Sequence, residues 1–147
     1  MRLTPIVTLV LFGAASPAGE PRSTVQVTAP VPAESDGCLD HTVKELGMSA
    51  KRVEKERRWN IGPQYLHPSV AKDGAFTVEH VKTGEHTTVT VVVSWPGALK
   101  APAVQAELEE RLRAMVTKMT QLCGVLKPAL TCTVSSAGAA AAPCAAR

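Results

Sequence analysis

The 147-residue sequence predicts an α+β fold. Three observations carry that assignment. Two alternating apolar runs meet at a glycine within residues 75–95. A stripe of apolar residues at helical spacing runs from Val104 to Leu122. A third alternating run, "ALTCTVS", follows that helix at 129–135. Alternation marks half-buried strands and a 3.6-residue period marks an amphipathic helix. Such elements pack as helices on one face of a mostly antiparallel sheet. The expected sheet is small: the hairpin 75–95, the strand 129–135 and, on one of two open readings, a strand near 53–61. Two helices cover one of its faces.

The chain opens with a short basic start, Met1-Arg2, then the apolar run "IVTLVLF" from Ile6 to Phe12, then "GAASPA". This order reads as a secretory signal peptide over residues 1–18, with cleavage after Ala18. The apolar run is far shorter than the roughly 20 residues a membrane span needs. No transmembrane anchor is expected in the mature chain. A lipid anchor needs a cysteine beside the cut, and the first is Cys38. The remaining 129 residues (147 less 18) suit one domain.

Residues 19–37, rich in Pro, Ser, Thr and Ala, read as a flexible leader. A first helix starts near Asp36 or Cys38. Leu39, Val43, Leu46, Ala50 and Val53 form its apolar stripe, and Gly47 is a candidate stop. Over 51–61 pattern alone does not decide, because Val53, Trp59 and Ile61 also fit alternation. "PQYLHPSVAKDG" is bounded by Pro and Gly and reads as a loop.

For the hairpin, a two-residue turn at Thr83-Gly84 sets His80 opposite Thr87, Val78 opposite Val89 and Phe76 opposite Val91. Phe76, Val78, Val89, Val91, Val93 and Trp95 then share one apolar face. Thr77, Glu79, His86, Thr88, Thr90 and Ser94 share the other. Trp95-Pro96-Gly97 ends the second strand. The long helix begins at Pro102, which suits a first helical position. Val104, Leu108, Leu112, Met115, Met119 and Leu122 line its inner side, and Gly124 stops it. The folded domain is therefore expected over 38–135, with an Ala-rich tail over 136–147 that Cys144 ties down.

Export sets the meaning of the cysteines. Four in an oxidising compartment form two disulfides, with three possible pairings. Metal ligation wants closer spacing than Cys123 and Cys132 offer. Cys123 ends the inner side of the long helix and Cys132 sits inward on the strand that folds back from it. That favours Cys123–Cys132, and leaves Cys38–Cys144.

Composition and motifs exclude several function classes. The net charge is only +3, and the chain holds two Trp, one Tyr and two Phe. Aromatic platforms for single-stranded nucleic acid are too scarce, and no nucleic-acid partner is expected. Ser69-x-x-Lys72 and Lys82-Thr83-Gly84 are two of three motifs of penicillin-recognising serine enzymes. Here Ser69 lies in a loop without a helical period, and Gly84 serves a turn. Chance alone supplies about 0.4 matches to S-x-x-K in a chain of this composition. His80 and His86 point to opposite faces of the hairpin and do not chelate one ion. His41 and His67 show no metal spacing. Neither metal nor cofactor is expected. "KRVEKERR" offers a basic patch for anionic lipid headgroups or an acidic partner, but on the helix reading Arg52–Glu56 and Glu54–Arg58 are i,i+4 pairs and a solvated helix face is the favoured account.

What remains is a surface. Thr77, Glu79, His86, Thr88 and Thr90 form the candidate partner surface, open to a protein of the cell envelope or the extracellular space. The expected function is a small exported, non-catalytic binding or structural module. Two rival readings place an enzyme site, or an inhibitory loop, in residues 59–75. The sequence sets no oligomeric state.

Overall fold

The computed structural model describes residues 21–45, 50–53, 58–61, 70, 74–83 and 86–145. Nine elements follow in chain order: β1 (Arg22–Pro30), α1 (Asp36–Glu45), β2 (Ala50–Val53), β3 (Arg58–Ile61), β4 (Ala75–Thr83), β5 (His86–Pro96), α2 (Pro102–Leu122), β6 (Thr131–Ser135) and β7 (Ala142–Pro143). The strands form one seven-stranded sheet in the order β2-β3-β4-β5-β1-β6-β7, with every neighbouring pair antiparallel. The α+β assignment therefore holds, on a larger sheet than the sequence implied.

The largest correction concerns residues 19–37. Residues 22–30 of that stretch are no mobile leader, since β1 lies between β5 and β6 within the sheet. Its alternation is strict: Ser23, Val25, Val27 and Ala29 are buried, and Thr24, Gln26 and Thr28 between them are half-buried. Polar composition marks the outer face of a strand here, because Thr fits a pleated surface as well as Val does. The sheet accordingly includes strands on both sides of residues 38–135, at Arg22–Pro30 and Ala142–Pro143.

The stretch 51–61 takes the strand reading. β2 and β3 pair antiparallel, with Arg52 opposite Trp59. The helical ion-pair face expected for "KRVEKERR" is thereby ruled out across 50–53 and 58–61, and residues 54–57 lie outside the described residues. In the hairpin, Val78 faces Val91, Phe76 faces Val93 and Thr83 faces His86. The pairing is two residues away from the expected register. A slip of two keeps every side chain on its face, since only odd slips exchange faces. Phe76, Val78, Val89, Val91, Val93 and Trp95 are all buried.

Both helices contribute to the single core formed by that face. Leu39 and Val43 of α1 join Leu108, Leu112, Val116 and Met119 of α2 and the inward residues of β1, β3, β4 and β5 in one cluster. Val25, Val27, Val78, Val89 and Val91 are wholly buried. Each such side chain contributes roughly 1.5–3 kcal/mol relative to exposure. Trp59 Nε1 donates to Asp40 Oδ1 at 3.2 Å, which pins α1 over β3. The buried face of α2 is rotated from the expected stripe. Glu109 and Thr120 are buried, whereas Leu122 is exposed. The helix ends as expected: Gly124, at φ +90°, donates to Gln121 O, and Val125 N donates to Thr120 O. That pair of bonds is a Schellman cap.

The disulfides are Cys38–Cys123 and Cys132–Cys144, not the expected pairing. The end of α2 lies beside the start of α1, with Cys38 and Cys123 Cα atoms 5.5 Å apart. β6 leaves that region to pair with β1, and the tail returns alongside it as β7. Cys144 N donates to Cys132 O at 3.0 Å, which aligns the second bridge.

Candidate functional site

The face of the sheet away from the core carries the candidate partner surface. Register pairs place its side chains in rows across the strands. One row runs Arg58, Glu79, Thr90, Thr28, Thr131. The next runs Asn60, Thr77, Val92, Gln26, Thr133. A third holds Ala75, Ser94, Thr24 and Ser135. Towards the hairpin end, Thr88 lies between Val81 and Pro30, and His86 pairs with Thr83. All five predicted residues thus share one face.

They do not share one environment. Thr77, Glu79 and Thr88 are half-buried and His86 is exposed. Thr90 is only 9% exposed, which corrects its reading as an open contact residue. It stands on a central strand, flanked by Glu79 and by Thr28, whose hydroxyl lies 2.9 Å from its own. That bond fixes a hydroxyl row between β1 and β5. Arg58 and Glu79 are opposite in register, so residues of unlike charge stand side by side on this face of β3 and β4. Arg22 closes the far end, donating from Nη2 to Ser94 O at 3.0 Å.

Sequence reasoning missed Thr24, Gln26, Thr28, Thr131 and Thr133. The missing signal was alternation in "STVQVTA", masked by the Pro/Ser/Thr composition around it. With these residues included, the middle of the face is uncharged and rich in hydroxyl and amide groups. Such groups both donate and accept, and desolvating them costs far less than desolvating charges. For acid–base work the face is poorly arranged: His86 is four residues along β5 from Thr90, roughly 13 Å at strand spacing.

Other candidates separate. His80 is buried on the core side and His86 lies on the outer side, as the alternation requires. His41 is exposed on α1 and pairs with Glu45 at 3.0 Å. Lys82 and Thr83 end β4. Ser69, Lys72, His67 and most of 59–75 lie outside the described residues, and so does Gly84. Among the described residues, no group of three His, Cys, Asp or Glu side chains is placed to hold a metal ion. No helix among them is long and apolar enough to cross a membrane.

Fold and face together define a class: a doubly disulfide-bridged α+β domain with a polar sheet face opposite its helices. No protein-family model matches the chain, and no curated protein matches it in sequence.

Proposed function

We propose that the protein is a small exported binding module of the cell envelope or extracellular space, working without catalysis through the outer sheet face. The observation that carries this reading is the hydroxyl-rich middle of that face, on β5, β1 and β6, where the Thr28 and Thr90 hydroxyls bond at 2.9 Å. A preordered face loses little entropy when a partner docks. Two disulfides support an oxidising compartment, where such bridges form and persist. The N-terminal basic, apolar and small-residue order supports export with removal of residues 1–18. The partner is a protein whose contact surface is largely polar, since the strands β5, β1 and β6 offer it hydroxyl and amide groups, with charge only towards β3 and β4.

Site-specific photocrosslinking tests this reading. A photoreactive residue at Thr88 is compared with one at Glu110, an exposed position on α2. In envelope extract, the Thr88 probe should give a discrete adduct that excess unmodified protein competes away, and Thr77→Arg should weaken it. Equal adducts from both positions, or none from Thr88, would refute the reading.

A further inference from the structure

The two edges of the sheet are protected by different means. An exposed edge strand invites pairing with another chain, and proteins blunt it with charge or proline. The β2 edge carries Lys51 and Arg52 in its sequence. At the other side, β6 has neither device: from Pro128 to Ala146 the sequence contains no charged residue. Its cover is β7, two residues long, with Thr133 opposite Pro143 and Val134 opposite Ala142.

That cover has little hold of its own. Residues 138–143 are all exposed, so their side chains bury little apolar surface, and beyond the short ladder to β6 they are held by Ser135 Oγ donating to Ala139 O and Ala139 N donating to Ser136 O. The Cys132–Cys144 bond supplies the hold, closing a short segment with a sequence separation of 12. Pro143 supplies the blunting. Cys144 N points inward to Cys132 O, so the backbone of Pro143 points outward, and proline has no N–H to offer there.

We propose that the tail is a disulfide-latched guard, and that opening the latch turns β6 into a docking edge for a second copy of this chain. Opening is a thiol–disulfide exchange with a dithiol. The dithiol is oxidised to its own disulfide, and Cys132 and Cys144 take up the two electrons and two protons. By strand alternation, Cys132 and Val134 then present N–H and C=O groups at the free edge. A two-fold axis at Thr133 sets Cys132 of each copy against Val134 of the other. Every freed edge group finds a partner in that arrangement, and no charge opposes it. The same symmetry at β2, centred on Lys51 or on Arg52, would set a basic residue opposite its own copy.

The test compares full-length chains by sedimentation. Cys132→Ala with Cys144→Ala should double the apparent mass while far-UV circular dichroism stays native. Adding Thr133→Lys should restore the monomer, because the axis places each lysine directly opposite its copy and like charges there oppose pairing. A monomeric double variant would overturn the proposal, as would a dimer that survives Thr133→Lys. Wild-type protein in stepwise dithiol provides the second measurement, with alkylation reporting which bridge is open. The mass should double once Cys144 alkylates while Cys38 stays protected. Loss of the fold on opening this bridge would also overturn the proposal, since the tail would then be core and not cover.

Discussion

Replacing both cysteines of one bridge by alanine separates the two disulfides energetically. Cys38–Cys123 joins positions 85 residues apart and Cys132–Cys144 joins positions 12 apart. On the chain-entropy account, a bridge stabilises by restricting the unfolded chain, with a term growing as the logarithm of loop length. The long loop gives about 4.6 kcal/mol and the short one about 2.9 kcal/mol on that account. The long bridge also ties α1 to α2, and α1 brings Leu39 and Val43 into the core. Domains of this size hold only about 5–15 kcal/mol in all, so Cys38→Ala with Cys123→Ala should leave a marginal fold. Urea denaturation followed by far-UV circular dichroism measures both variants against wild type. The long-loop variant should lose more, by about 1.7 kcal/mol on the same logarithmic term. A short-loop variant that loses as much, or a long-loop variant with an unchanged midpoint, would refute the reasoning.

Three further outcomes are expected. Val91→Asp buries a charge where wild type is wholly enclosed and should cost several kcal/mol, whereas Thr88→Asp on the outer face should stay within about 0.5 kcal/mol, both read from melting curves. The intact mass of exported material should correspond to a chain beginning at Gly19, and a form retaining Met1 in the membrane fraction would count against the signal-peptide reading. A reactive β-lactam probe should leave the protein unlabelled, and labelling that disappears in Ser69→Ala would establish the acylase that the local sequence argues against.

Much of the fold was legible because its signals are periodic. The hairpin faces, the long helix from Pro102 and the strand ending at Ser135 all rest on spacing, and packing preserved that spacing. The hairpin register escaped by two residues because a face pattern repeats every two residues and is blind to even slips. β1 was misread because a composition argument was placed above a periodic one. Val25, Val27 and Ala29 alternate as clearly as the hairpin does, yet Pro and Ser around them suggested a linker. The disulfide pairing depended on which elements become neighbours, and that was not local information. Once β1 is inserted beside β5, β6 is drawn away from the end of α2, and Cys132 with it. The candidate surface was half visible for the same reason: its β4 and β5 residues were found, and those contributed by β1 and β6 were not.

The central place of β1 bears on the order in which the chain folds. Val27 is paired with Val91 on one side and with Cys132 on the other, so its partners lie 64 and 105 residues downstream. During synthesis the first strand must wait for most of the polypeptide before the sheet can close around it. Contacts so distant in sequence slow folding, because the entropy of closing a long loop is lost before the contacts form. Among themselves the strands β2 to β5 pair only with their neighbours in sequence, so β1 is the strand whose place depends on the later parts of the chain. Only after β6 has been made does β1 have both of its neighbours.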